Sequence, residues 1–112
     1  MQITVKDDGV NARVQLTGSL DSAGVTAVSV PFNALVEAKR GLIVDLSAMT
    51  FLASTGIRML VAAAKTLKRQ GGQLILVKPS KMVGEVLTVT GTDTIIRVVR
   101  SDKEAEALLA ME

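Results

Sequence analysis

Neither cysteine nor histidine occurs anywhere in the chain. Their absence removes disulfide frameworks, thiol chemistry and the usual zinc ligand sets. It also removes the base that activates a serine nucleophile, so a serine hydrolase of ordinary design is excluded. Tryptophan and tyrosine are missing too, and Phe32 and Phe51 are the only aromatic residues. Two phenylalanines offer little for stacking on bases, and 13 basic against 11 acidic residues leave a formal charge of only +2. Neither feature suits nucleic-acid binding. The longest apolar run, MLVAAA, is far too short to cross a bilayer. The opening MQITVKDDGV has no apolar signal core, which points to a cytoplasmic protein.

What is present is apolar substance: 48% of the 112 residues are hydrophobic, enough for one domain, residues 1–112, to bury a core without cross-links. QITVKDDGVNARVQLTGSL reads as a hairpin, with Ile3 and Val5, then Val14 and Leu16, alternating with polar residues around the turn-forming DDGVN. DSAGVTAVSV mixes β-branched and small residues and has no clear period. Pro31 fits the first turn of a short helix, PFNALVEAK, with Phe32, Leu35 and Val36 on one face and Gly41 closing it. LIVDL suits a buried central strand. From Ser54 the residues Ile57, Leu60, Val61, Ala64 and Leu67 recur at helical spacing, and Gly71-Gly72 stops the pattern. QLILVKP is a further strand, Ser80 caps a helix to about Thr90, TIIRVV is a strand, and Ser101 with Glu104 opens a last helix as a capping box. The order β-β-α-β-α-β-α-β-α places an antiparallel hairpin ahead of alternating strands and helices, an α/β pattern with several parallel strands.

Three segments bear on function. FLASTG lies where a strand passes into a helix, the edge at which α/β sheets bind partners. Ser54 is placed there as N-cap and Thr55 as first helical residue, and Gly56 lets another surface approach. From the spacing alone, Ser54 as a plain helix cap is the favoured reading over a modified serine. A phosphate there would add nearly two negative charges to an exposed helix start. LTGSLDSAG is a strand end and turn, with Asp21 as a turn former or cap. KRQGGQ has two glycines but lacks the Gly-Lys-Ser/Thr ending of a phosphate loop, and a helix C-cap accounts for it.

Together LTGSLD, GLIVDLSAMTFLASTGIRML and LKRQGGQLILVKPSKMVGEVLTVTGTDTIIRV resemble a STAS domain of the anti-sigma factor antagonist type, over nearly the whole chain. The middle segment carries most of the resemblance: Asp45, Leu46 and Ser47, then Phe51, then Ser54, Thr55 and Gly56 match the family pattern. The resemblance implies the STAS fold, a mixed β-sheet with an N-terminal antiparallel hairpin and about four helices packed on it. It implies an anti-sigma factor antagonist of a bacterial partner-switching system, a monomer or weak dimer without cofactor, metal or catalysis. The unphosphorylated form would bind an anti-sigma factor that is also a GHKL-type serine kinase. Phosphorylation of Ser54, with Thr55 second, would release it, and a PP2C-type phosphatase would restore it. The docking face expected from this is Gly18, Leu20, Asp21 and Ser22, then Ala53, Ser54, Thr55 and Gly56, with Arg58 and Met59 beside them. Ala53 departs from the family, which has an aspartate there. That departure suits an alternative, a STAS scaffold module in a lipid-transport or transporter assembly that works without phosphorylation.

Overall fold

The computed structural model describes residues 1–111. Eight of the nine expected elements are where the pattern puts them, give or take their ends; the first helix is much longer than expected, and one further strand appears. The strands are β1 (Gln2–Asp7), β2 (Asn11–Leu20), β3 (Gly41–Asp45), β4 (Met49–Leu52), β5 (Gln73–Val77) and β6 (Arg97–Val99). The helices are α1 (Ser22–Ala38), α2 (Ser54–Arg69), α3 (Lys81–Val89) and α4 (Asp102–Ala110). The sheet runs β1-β2-β3-β5-β6, antiparallel in the β1–β2 hairpin and parallel across the other pairs.

All five residues of β3 are buried, because both faces of the sheet are covered at its centre. The period of two then sorts the side chains. Leu42 and Val44 of β3 join Leu74 and Leu76 of β5 in the larger core, with Val28 and Phe32 of α1, Leu60 and Leu67 of α2, and Val83 and Leu87 of α3. Ile43, Ile75 and Val77 point the other way, onto Ala105 and Leu109 of α4.

Helix α1 begins nine residues earlier than the sequence suggests. Its N-cap is Asp21, whose carboxylate accepts the Gly24 N–H at 2.9 Å, and Val28, Phe32 and Val36 form its buried stripe. Pro31 is thus inside the helix and not at its start. It is tolerated because Pro31 and Ala27, the residue whose carbonyl loses its partner, both face solvent. Gly41 does not end α1, which stops at Ala38 with Lys39 as C-cap. It starts β3, where a Cβ would fall 2.6 Å from Asn11 Oδ1 and 2.7 Å from Leu109 Cδ2, so both side-chain ends would have to shift to admit one.

Strand β4 is the unexpected element. Strand β2 is ten residues long and serves two neighbours: Asn11–Gln15 pair with β3, and Gly18–Leu20 pair with β4. A register shift between Gly18 and Ser19 makes the change, with Gly18 in the left-handed region at φ 107°. The last strand is shorter than TIIRVV, since Thr92–Thr94 form a 3-10 turn and pairing starts at Arg97. None of the described helices is long and apolar enough to cross a membrane.

Candidate functional site

The parallel pair β2 and β4 ends at Leu20 and Leu52, and each strand passes at once into a helix. Two helix N-termini, those of α1 and α2, therefore emerge side by side from one edge of the sheet. Asp45 sets up this geometry. Its carboxylate is 2% exposed and accepts the Ser47 N–H at 2.8 Å, which turns the chain out of β3. The turn continues with the Met49 N–H donating to Leu46 C=O at 3.1 Å, and the Gly18 N–H donates to Ala48 C=O at 3.0 Å. The chain thus re-enters beside β2 as β4 and delivers residues 53–56 to the edge.

The same carboxylate ties β3 to its neighbours. Asp45 Oδ2 accepts Arg13 Nη2 at 2.7 Å, and Lys78 Nζ lies 3.6 Å away. Arg13 and Lys78 also bind Asp102 at the start of α4, at 2.9 Å and 3.1 Å. Burial alone would raise the Asp45 pKa, but the hydrogen bonds from Ser47 and Arg13, with the nearby Lys78 charge, outweigh it and hold the carboxyl below its ordinary value. Asp102 behaves alike: burial works upward, and Arg13 and Lys78 bring it down.

Helix α2 begins one residue earlier than expected. Ala53 is the N-cap, with extended backbone at φ −92° and ψ 169° and no side-chain hydrogen bond, so Ser54 is the first helical residue and not the cap. The junction is instead held by backbone: the Ala53 N–H donates to Leu20 C=O and the Ile57 N–H to Ala53 C=O, both at 3.0 Å. Ser54 is exposed. Thr55 is not equivalent to it, because its Oγ1 is buried and has no hydrogen-bond partner among the described residues.

The remaining residues expected at the docking face divide. Ser22 and Arg58 are exposed or nearly so, Gly18 and Ala53 are partly exposed, and Asp21 is half-buried with its carboxylate committed to capping α1. Leu20 is fully buried, so its side chain belongs to the core. Gly56 is buried against it. A Cβ there would lie 2.6 Å from Leu20 O and 2.7 Å from Leu20 Cγ, so the surface that Gly56 admits is the chain's own strand and not a partner. Met59 packs partly on the core. Phe51, matched above only as part of a motif, is 49% exposed on β4 and paired across to Ser19, whose hydroxyl is 3.4 Å from that of Thr50. An apolar ring left in solvent three residues before Ser54 is suited to partner contact; that it is one of only two aromatics was the available signal. Among the described residues no cluster of acidic side chains could hold a metal ion.

This arrangement recurs in known proteins. A protein of Bordetella bronchiseptica named as an anti-sigma factor antagonist, BtrV, is 29% identical over 93 residues, covering 82% of this chain and 80% of its own. The unphosphorylated form of the anti-sigma factor antagonist SpoIIAA superposes with a TM-score of 0.82 at 18% identity, over 99% of this chain and 98% of that one. The phosphorylated form of the Bacillus protein gives 0.72, also at 18% identity, over 95% and 97% of the two chains. The fold is also found within the much longer murine Slc26a9 anion transporter, with a TM-score of 0.71 at 17% identity, covering 96% of this chain and 19% of that one. Residues 2–105 match the model of the STAS domain. With Asp45 turning the chain, β4 riding on the end of β2 and Ser54 opening α2, the chain belongs to the STAS domain family.

Proposed function

We propose that the chain is an anti-sigma factor antagonist that acts by binding and not by catalysis. The edge carrying Ser19, Phe51, Ser54 and Arg58 docks an anti-sigma factor that is also a GHKL-type serine kinase. Phosphorylation of Ser54 by that partner ends the contact, and a PP2C-type phosphatase restores it. The observation that carries this reading is the inequality of the two hydroxyls: Ser54 is open to solvent, whereas Thr55 Oγ1 is enclosed. Of the two, only Ser54 presents itself to a kinase in the folded protein.

The physical basis of the switch is charge placed at a contact. Helix α2 has no acidic residue in its first turn and no side-chain cap, so within the domain a phosphate at its first residue meets free N–H groups and the positive end of the dipole. At a docked interface the same phosphate must be desolvated against a partner shaped for a neutral hydroxyl. A loss of about 3–5 kcal/mol, a few powers of ten in affinity, is expected. Binding of the cognate kinase to wild type, Ser54→Ala and Ser54→Asp tests this. Ser54→Ala should bind like wild type and resist phosphorylation, Ser54→Asp should bind weakly, and Thr55→Ala should still be phosphorylated. Equal affinity of wild type, Ser54→Ala and Ser54→Asp would refute the switch.

Ala53 supports a second reading. The cap position, where the resemblance implies an acidic residue, carries no carboxylate here, and the same fold is found inside a transporter. A scaffold module of a transport assembly would bind its partner identically as wild type, Ser54→Ala or Ser54→Asp, and would take up no phosphate.

A further inference from the structure

A cleft of about 680 Å3 lies between α3 and β6, and none of the residues lining it belongs to the Ser54 junction. Its floor is Leu87 and Val98, its walls include Gly84 and Thr88, and Lys78, Lys81 and Arg100 surround one end. Three features of it are unused by the fold. The first is Gly84. Of the nine glycines, four adopt positive φ and four others lie where a Cβ would come within 2.6 Å of another atom; Gly84 does neither. A Cβ on it would meet nothing nearer than Pro79 Cγ at 3.8 Å. A glycine inside a helix is a net loss of stability against alanine. Nothing within the described residues requires it here, and what it creates is room in the cleft, the condition for close approach by a second backbone.

The second feature is the free edge of the sheet. Among the described residues, strand β6 pairs only with β5. The Lys78 N–H donates to Val99 C=O at 3.0 Å, so Val99 faces β5 and, by the alternation of an extended chain, the N–H and C=O of Val98, a residue that lines the cleft, point to the unpaired edge of the sheet. The third is charge. Lys78 is engaged with Asp102, but Lys81 and Arg100 make no ion pair among the described residues. The cleft's one carboxylate, Asp93, sits at the opposite end, accepting the Thr88 hydroxyl at 3.1 Å.

We propose that this cleft binds an extended acidic segment of a partner protein, which adds as a short strand beside β6 and passes over Gly84 with its carboxylates toward Lys81 and Arg100. Strand addition at a groove between an edge strand and a helix draws affinity from main-chain hydrogen bonds and specificity from the side groups at the rim. The site shares no residue with the Ser54 junction, and its test does not depend on the switch.

The probe is an acetylated, amidated hexapeptide alternating valine and glutamate, with the valine–lysine peptide as its counterpart, titrated into the 15N-labelled full chain up to millimolar concentration. The acidic peptide should give saturable amide shifts centred on Gly84, Val98 and Arg100, and the lysine peptide none. Gly84→Met should weaken binding by about tenfold or more without lowering the melting temperature, and Gly84→Ala should do so to a smaller degree. The double reversal Lys81→Glu, Arg100→Glu should abolish it. No saturable shift, equal response to both peptides, or unchanged binding by Gly84→Met would overturn the proposal. So would the same shifts appearing with inorganic pyrophosphate, which would make the cleft a small-anion site, or with rising protein concentration alone, which would make it a contact between copies.

Discussion

Replacing Ala53 by aspartate should make the protein more stable, although it adds a charge beside the candidate switch. Three of the four described helices start from a side-chain cap: Asp21 on α1, Ser80 on α3 and Ser101 on α4 each accept an N–H of the first turn. Helix α2 has none, and its cap residue already holds the extended backbone that a capping side chain needs. The introduced carboxylate would reach the N–H of Thr55 or Gly56. Such a bond contributes about 0.5–2 kcal/mol, and the negative charge against the helix dipole adds about 0.3–1 kcal/mol. Unfolding entropy of about 2.1 cal/mol/K per residue over 112 residues gives roughly 0.24 kcal/mol/K, so each 1 kcal/mol raises Tm by about 4 °C. The two contributions together, about 0.8–3 kcal/mol, give an expected rise at pH 7 of about 3–13 °C. Ala53→Asn separates the parts, keeping the hydrogen bond without the charge, and should give the smaller share. Thermal unfolding followed by circular dichroism, with urea midpoints as a second measure, reads both. If neither variant gains stability, α2 is not short of a cap and the account of its start is wrong. The same logic reaches the modification. A phosphate on Ser54 offers its own acceptor to these N–H groups, so phosphorylation should stabilise wild type more than the Ala53→Asp variant.

Gly56→Ala should be destabilising despite the better helix former, because the new methyl meets the backbone carbonyl of Leu20 and cannot be accommodated by a rotamer change. Overpacking of this kind costs about 1–3 kcal/mol against a propensity gain of about 1 kcal/mol, and a fall in urea midpoint together with weaker partner binding is the expected result. Asp45→Asn should cost about 1–3 kcal/mol at pH 7, since it leaves Arg13 with Asp102 alone. The Asp45 and Asp102 pKa values are both depressed in the folded state, so their contribution is complete above the unfolded carboxyl value of about 3.9. It is lost as pH falls through the lower folded values. Urea midpoints from about pH 7 to about pH 2 should therefore drop less steeply for Asp45→Asn than for wild type.

The core was largely legible in the sequence because its signals are local. Alternation in β1 and β2, apolar runs in β3 and β5, and the spacing of Leu60 and Leu67 each declare an element without knowledge of the rest. The misses depend on distant neighbours. MTFL becomes β4 only because the end of β2 offers it an edge, and four residues cannot show a period of their own. Pro31 suggested a helix start because its tolerance inside α1 depends on which way the helix faces the sheet. At the site, Ser54 was marked and placed ahead of Thr55 by its position in a recognisable pattern; the enclosure of Thr55 Oγ1 adds a physical reason for that order which the pattern did not contain. Leu20 and Gly56 were named as partner contacts because they lie in the right segments, and they turn out to touch each other. Phe51 was visible as a motif residue, but its exposure follows from the β4 pairing that the sequence did not reveal.

Strand β2, shared between β1 on one side and β3 and β4 on the other, is the most tied-down member of the sheet. Its amides in residues 12–15, which lie between β1 and β3, should be among the slowest in the protein to exchange with deuterium, opening only when the whole fold opens. The Ser54 junction hangs from the end of that strand through the Ala53 bond to Leu20. A signal written there has no soft element beside it to bend. Under the proposed switch, a phosphate on Ser54 would change the electrostatic potential of a stiff mount, and a partner would sense the sign of the surface and not a change in its shape.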